Sequence, residues 1–422
     1  MKMSRIGFKS TKLKDLDEMF PAQDILIKTN QLVMYESGIY GYDYVPYMVE
    51  EKVKQIITEE LDKVSCVKVN LPLLQPANIW KKSGRWDKYI EEGVMFTVET
   101  DKSSYGLAPT AEEAIVEFAK KRLTSYKSMP VTYYQIGEKF RNEIRTRGFL
   151  LRGKTFTMMD AYSFDVSLED SIKSYDKIRE AYFNIFNRLG LEVIPVIADN
   201  GSIGGKKSEE FMVLTDSGED RILVDKETGR AFNIEILEKE NYQEYLKCEY
   251  GLTNLSNLEE KRAMELGHIF QLGDKYSTTM DAKFTTKDNQ MQPYYMGCYG
   301  IGVSRVVALL YEKNVIIENG KVTGICLPEV VSPFKLYIVM KLDNQKKVEE
   351  ALRLYEVLSN KGIKVMLDDR DLSIGSKIKD AKVLGVPYVA ILGDNTEDGQ
   401  FEIENNRTSE KIVVKLEEYL EH

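Results

Sequence analysis

The sequence predicts an α+β protein: an antiparallel sheet flanked by helices makes up the larger part, and a smaller α/β domain with a mostly parallel sheet follows. Three observations lead there. YYQIGEKFRNE (133–143) and KTFTMMDAYSF (154–164) are rich in aromatic and β-branched residues, and the basic stretch RTRGFLLRG joins them as neighbouring strands. From residue 334 onward, apolar strand patterns alternate with helical ones, as in a parallel sheet covered by helices. The 422 residues exceed what one hydrophobic core usually serves, so two or three domains are expected.

Taken in order, residues 1–36 are a polar lead-in in which DILIKTNQLVMYES is expected to form the first helix. The Gly/Tyr-rich SGIYGYDYVPYM (37–48) reads as a short hairpin. From Val49, the spacing of Val53, Ile56, Ile57 and Leu61 gives one apolar face, hence a helix. CVKVNLPLLQP (66–76) is then a buried strand stopped by prolines, which cannot donate to a ladder. MFTVET and SSYGLAP, within 95–109, are strands about a turn at Asp101 and Lys102. Thr110 is a good N-cap for TAEEAIVEFAKKRL, and Glu112 and Glu113 fall in its first turn, where negative charge is favoured. Residues 167–191 form a helix capped by Ser167 and ended at Gly190. Residues 192–225 supply strands about the glycine-rich GSIGG, with Glu209 and Glu210 read as solvated acids. Residues 226–262 are charged and mixed in character. In MELGHIFQLGDKYSTTMDAKF (264–284), His268 is flanked by apolar residues and is expected to be a hydrogen-bonded core residue. In QPYYMGCYGIGVSRVVALLYEK (292–313) a strand enters a helix near Val303. Pro328 and Pro333 mark a domain boundary. Beyond it come a strand at 334–341, a helix at 345–361, the strand IKVMLDD, a helix at 375–384 and strands at 387–393 and 401–404, then a short strand and a final helix.

A net charge of −9 argues against coating nucleic acid by bulk attraction and leaves room only for a local basic groove. Cys66, Cys248, Cys298 and Cys326 lie far apart without CxxC spacing, and His268 and His422 are the only histidines, so a zinc site is not expected. With no run of eighteen apolar residues and no signal-peptide core, the chain is expected to be cytoplasmic, with reduced thiols and no membrane segment.

The chemistry concentrates around the central strand pair. Arg141, Arg145, Arg147 and Arg152 fall within twelve residues beside Glu138 and Glu143. A planar guanidinium suits paired phosphate oxygens, and a nearby carboxylate can accept from an amine or hold Mg²⁺ through water. Phe156 offers a face to a purine ring. Arg305, in the first turn of an apolar helix behind the small residues of GCYGIG, needs an anionic partner, which a phosphate would supply.

FRNE, the basic loop, Arg152 and the strand carrying Phe156 and Asp160 together resemble motif 2 of the class II aminoacyl-tRNA synthetases. The helix and strand of 49–76 resemble motif 1, and GIGVSR resembles motif 3. DAYSF (160–164), PTAEE and GHIFQLG narrow the resemblance to the prolyl-tRNA synthetases. The resemblance implies a class II antiparallel sheet and ATP-dependent activation of L-proline, followed by transfer to proline tRNA, with Mg²⁺ as cofactor and no protein nucleophile. It implies that Arg141 grips the α-phosphate, Arg305 the γ-phosphate, and Glu143 orients ATP or Mg²⁺, making these three the catalytic set. Arg152 and Gln271 would also contact ATP, and Phe156 would stack on adenine. Thr110 and Glu112 would receive the secondary ammonium of proline, with Arg141 and Cys298 also at the proline pocket. Residues 49–76 would form a homodimer interface. DDRDLSIGSKIKDAKVLGVPYVAILG resembles the anticodon-binding domain of the prolyl, threonyl, glycyl and histidyl enzymes, with Asp368, Asp369, Arg370 and Lys377 as candidate readers.

On this reading, 1–225 and 263–328 form the catalytic domain, 226–262 is a remnant of a larger editing insertion, and 329–422 is the anticodon-binding domain. The chain departs from the family pattern at Thr146, at the order Gly148-Phe149, at Thr155, and at Glu209, where a His is usual. Two other readings compete: a paralogue that activates proline or another small amino acid for a carrier other than tRNA, and a non-catalytic tRNA-binding regulator.

Overall fold

The computed structural model describes residues 1–9, 12–198, 207–238, 241–252 and 254–421, so the GSIGG turn lies outside the described residues. The chain forms two compact units: Lys54–Arg147 with Arg152–Val306, and Met1–Val53 with Gly148–Leu151 and Val307–His422. In this grouping residues 307–328 and the N-terminal segment fall with the second unit.

The first unit is built on a sheet with nine strands among the described residues. In chain order these are β1 (Val67–Lys68), β2 (Val131–Phe140), β3 (Thr155–Asp165), β4 (Ile194–Ile197), β5 (Lys207–Leu214), β6 (Asp220–Asp225), β7 (Ala231–Asn233), β8 (Leu258–Gly273) and β9 (Tyr295–Gly302). Their spatial order is β5-β4-β7-β6-β8-β9-β3-β2-β1, with a further β5–β8 pairing. The pairings are antiparallel except for β1–β2 and β4–β7. The central hairpin β2–β3 runs in register from Val131 opposite Phe164 to Phe140 opposite Thr155.

Five helices of this unit enter the argument: α1 (Ala77–Ser83), α2 (Trp86–Glu91), α3 (Glu112–Lys120), α4 (Leu168–Arg188) and α5 (Lys275–Thr279). One face of the sheet is covered by α4, whose N-terminus is capped by Ser167 accepting from the Asp170 backbone N–H. Tyr175, Ile178, Ala181, Tyr182, Ile185 and Phe186 recur along its buried side, and the Tyr182 ring lies 5.1 Å from that of Phe211 on β5. The opposite face meets α3, and one core cluster holds Ile115 and Val116 with Tyr162, Phe164, Phe270 and Cys298.

Two local expectations change. The segment 24–37 is not one helix: the helix Pro21–Lys28 ends at Asn30, which takes a left-handed φ of 57°, and Leu32–Glu36 pairs with Ile39–Tyr42 as a hairpin. The stretch 66–76 is split by Pro72 into β1 and the separate strand Leu74–Pro76, leaving Val67 and Leu74 exposed. The segment 226–262, charged and mixed in character by sequence, carries sheet strands: β7 pairs with β6 and β4, and β8 begins at Leu258. Among the described residues between them, the 3-10 turn Ile234–Glu238 and the helix Tyr242–Tyr250 pack on Phe232, the helix through its buried Leu246.

In the second unit, β10 (Leu336–Met340), β11 (Val365–Asp368), β12 (Tyr388–Leu392), β13 (Gln400–Asn405) and β14 (Lys411–Lys415) form a sheet in the order β11-β10-β12-β13-β14. The first three are parallel and the last two antiparallel, packed against Gln345–Asn360 and Leu416–Glu421. The N-terminal segment lies along the edge strand β11, with a bridge from Lys2 to Leu367 and hydrogen bonds from Ser4 to Asp369.

Candidate active site

Residues of the first unit converge on the α3 side of the sheet. Side chains alternate along a strand, so Tyr162, Cys298 and Phe270, directly opposite one another on β3, β9 and β8, share that face. Asp160 and Phe156 share it two and six residues upstream of Tyr162 on β3. The loop before α3 is pinned from below. The Ala111 backbone N–H donates to the Tyr162 hydroxyl at 3.1 Å, which donates to Asp160 Oδ2 at 3.0 Å. Gln135 Nε2 donates to the same oxygen at 2.9 Å, and the buried Lys139 ammonium lies 2.6 Å from Asp160 Oδ1. A buried charge that is paired and hydrogen-bonded in this way holds its neighbours in one arrangement.

Thr110 does not cap the helix, because its hydroxyl donates to Glu112 Oε2 at 2.7 Å and the N-cap position falls on Ala111. Glu112 is fully buried. Its Oε2 also accepts from Arg85 Nη1 at 2.9 Å, and its Oε1 accepts from Cys298 Sγ at 3.2 Å. Burial raises its pKa, yet Arg85, Thr110 and Cys298 outweigh that and keep the carboxyl below its ordinary range. The Cys298 thiol is pushed well up by burial and by the Glu112 charge, so it remains a protonated donor.

Arg141 ends β2 and anchors its backbone N–H on the Lys154 carbonyl at 2.9 Å. Its Nε donates to the Pro109 carbonyl at 3.3 Å, and its guanidinium lies 5.2 Å from the centre of the Phe156 ring. Burial lowers the Arg141 pKa; Arg305 acts in the same direction, and Tyr89, Glu265 and Glu112 oppose it. Arg141, Arg305 and Glu112 thus share one electrostatic neighbourhood. Arg305 donates from Nη1 to the Glu265 carbonyl at 2.7 Å and to its carboxylate at 3.0 Å. Glu143 accepts from Arg152 Nε at 2.8 Å and from the Arg145 backbone N–H at 3.1 Å, and Arg152 also lies 3.6 Å from Glu219.

Gln271 is not brought to this face. It pairs with Gly297 and with Lys207, so it shares the side of Ile269, Tyr299 and Glu209 that α4 covers. Glu209 is not a solvated acid there: it is buried and accepts from the Tyr175 hydroxyl at 2.7 Å and Arg179 Nε at 3.1 Å. Its departure from the family pattern lies behind the sheet, away from Cys298. Gly148 and Phe149 both adopt left-handed φ, 58° and 52°, so the Gly-Phe order puts a bulky residue where glycine costs least.

A second cluster escaped the sequence. Glu210, Glu265 and His268 offer ligand atoms within 4.8 Å of one another. His268 Nδ1 is 3.3 Å from Glu265 and 3.6 Å from Glu210, its ring stacks on Phe270 at 3.8 Å, and its buried Nε2 has no partner among the described residues. Burial, reinforced by the Glu265 charge, pushes Glu210 up to about 8. Burial also opposes ionisation of Glu265, but His268 and Arg305 hold it well below the usual carboxylate range. The i, i+3 spacing of Glu265 and His268 on a strand becomes a contact only because the ladder shifts register opposite Phe211 and Met212. Arg85 was given no role by the sequence, and Glu113 only that of a favourable charge in a first helical turn.

The four candidate readers of the second unit are largely absorbed by the fold. Asp368 is buried and accepts from Tyr337 and Arg370. Arg370 also bonds Asp380 at 2.7 Å. Asp369 accepts from Ser4, and the buried Lys377 donates to the Met340 and Asp368 carbonyls.

With this geometry in place, comparison with known proteins gives consistent results. Residues 96–314 match the tRNA synthetase class II core domain (G, H, P, S and T), and residues 335–422 match an anticodon binding domain. The proline–tRNA ligase of Sulfurimonas denitrificans (strain ATCC 33889 / DSM 1251) is 36% identical, over 98% of this chain and 97% of its own. That of Ehrlichia canis (strain Jake) is 36% identical, over 100% and 99%. The proline–tRNA ligase of Persephonella marina (strain DSM 14350 / EX-H1) is 30% identical across an alignment of 564 positions, so it carries segments that these 422 residues lack. The solved prolyl-tRNA synthetase of Giardia lamblia, in complex with prolyl-adenylate, has the same fold, with a TM-score of 0.74 at 20% identity over 94% of this chain and 74% of its own.

Proposed function

The chain belongs to the proline–tRNA ligases of the class II tRNA synthetases, and from that premise we infer how its residues carry the reaction. The reaction is L-proline plus ATP giving prolyl-adenylate and pyrophosphate, then transfer of the prolyl group to the 3′ end of proline tRNA. Activation needs no protein nucleophile, only reactants held in line and charge stabilised where it develops. The proline carboxylate attacks the α-phosphorus while Arg141 neutralises the charge gathering on the α-phosphate. Arg305 exchanges part of its Glu265 contact for the γ-phosphate. Phe156, whose ring Arg141 already covers, stacks on adenine, with Arg152 and Glu143 at the nucleotide's edge. Thr110 and Glu112 receive the ammonium of proline, and Cys298 limits the pocket. The observation that carries this reading is geometric: Arg141 bonds the Pro109 carbonyl beside Thr110 and Glu112 and lies over the Phe156 ring, while Cys298 meets Glu112 from the sheet.

The Mg²⁺ that accompanies ATP would ride on its phosphates, with Glu143 reaching it through water, and would neutralise triphosphate charge. We further propose a homodimer through 49–76, supported by the exposed Val67, Leu73 and Leu74, and a reduced insertion that lacks an editing centre. No described helix is long and apolar enough to cross a membrane, in keeping with a cytoplasmic place for tRNA charging. At the second unit, the exposed Asp371 and Lys379 are better placed to meet anticodon bases than the buried Asp368 and Lys377. ATP–pyrophosphate exchange with proline and a panel of small amino acids, followed by charging of proline tRNA, tests the whole. Exchange that is strongest with proline, followed by charging, is expected. Exchange without charging would return the carrier-loading paralogue, and neither activity would leave a regulator.

A further inference from the structure

We propose that Arg85 is a specificity-determining positioning residue: by occupying one lone pair of Glu112, it leaves the site able to satisfy the two N–H groups of a secondary ammonium but not the three of a primary one. The proposal rests on the reading of Glu112 as the ammonium acceptor. Arg85 lies between α1 and α2, just after Gly84, whose left-handed φ of 77° turns the chain. The side chain is 4% exposed. Its guanidinium stands over Trp80, Tyr89 and Tyr276 at 5.1, 4.5 and 5.4 Å from the ring centres, and Nη2 donates to the Tyr89 hydroxyl. Nη1 reaches Glu112 Oε2 at 2.9 Å and Glu113 Oε1 at 3.2 Å, and Ser83 holds Glu113 at 2.6 Å.

A carboxylate presents about four acceptor positions. At Glu112, Thr110 and Arg85 take those of Oε2, and Cys298 takes one of Oε1. One position therefore remains on Glu112, and the Thr110 oxygen, already a donor, can still accept. Those two acceptors match the two N–H groups of proline. An alanine or cysteine ammonium brings a third N–H, for which Glu112 and Thr110 offer no further acceptor, and burying it unpaired carries a desolvation penalty. Glu113 keeps Arg85 from being drawn wholly to Glu112. Burial raises Glu113 to about 7 despite Arg85, whereas Arg85, Thr110 and Cys298 keep Glu112 below its ordinary range, so Glu112 is the more readily ionised of the two.

The test is the ratio of kcat/KM for proline over alanine in pyrophosphate exchange, measured on the full chain. Arg85→Gln and Arg85→Lys are expected to narrow that ratio by roughly tenfold or more, with the KM for ATP unchanged. Tyr89→Phe keeps the ring and removes only the hydroxyl partner of Nη2, and is expected to narrow it by about threefold. An unchanged ratio in a folded Arg85→Lys, or in Tyr89→Phe should the former not fold, overturns the proposal. Glu112→Gln separates the two layers. If it leaves the KM for proline unaltered, the ammonium reading itself fails. If it raises that KM while the Arg85 and Tyr89 variants hold the parental ratio, only the role of Arg85 fails.

Discussion

The molecule contains two buried forks in which one arginine bridges two acids, and their difference separates machinery from scaffold. Arg85 spans Glu112 and Glu113 at the proposed active site, and Arg370 spans Asp368 and Asp380 in the second unit. At the first, Glu112 keeps an acceptor position that no donor among the described residues fills, and the Arg141 guanidinium meets the Pro109 carbonyl and the Phe156 ring. At the second, the groups are closed on themselves: Asp368 takes Tyr337 and Arg370, and Arg370 adds Asp380 and the Phe8 carbonyl. A charge whose partners all come from the chain stabilises the fold. A buried charge short of partners is paired by a substrate.

The largest expected effect follows from the open side. Arg141→Ala should lower proline-dependent pyrophosphate exchange by roughly a thousandfold, because it removes charge stabilisation made at the α-phosphate in the transition state. Exchange within tenfold of the parent would break the contrast, since Arg141 would then be as structural as Arg370.

Arg370→Ala should show the opposite profile. It strands Asp368, which is fully buried, and a broken buried ion pair costs about 3–5 kcal/mol. Thermal denaturation should therefore show an earlier transition, while the KM for proline in exchange, measured below that transition, stays at the parental value. A loss of proline affinity without loss of thermal stability would reverse the assignment of the two forks.

The same contrast explains what the sequence disclosed. That Thr110, Glu112, Cys298 and Arg141 lie near one another was legible, because they stand at the motifs' own turns and strand ends; their roles belong to the proposal. Asp368 to Arg370 carried an equally charged signature. Only the N-terminal segment lying on the edge strand and the Asp380 side chain, ten residues on from Arg370, reveal that it is filled from within. Gln271 was misplaced by a single residue of strand parity, which a motif does not report and a ladder does. Glu210, Glu265 and His268 meet through a register shift that has no local marker.

The smallest effect distinguishes the two regions by pH. Burial and the Glu265 charge raise Glu210 to about 8, above the ordinary 4.5. The folded state then binds a proton that the unfolded chain has released, so this stabilisation is complete below about 4.5 and disappears as pH rises through about 8. Glu113, raised to about 7 by burial, contributes in the same sense. Asp369 behaves oppositely: against burial, the Ser4 hydrogen bonds depress it below 3.8, so its contribution is present above that value and lost in acid. Melting temperatures between pH 5 and pH 9 should therefore fall as pH rises, and Glu210→Gln should flatten the upper part of that slope, because its amide carries no titrating proton. Parallel slopes for the parent and Glu210→Gln would mean that Glu210 is already ionised at pH 5. The cluster would then hold two carboxylates against one imidazole, and the open region would carry more negative charge before substrate arrives than the burial of Glu210 allows.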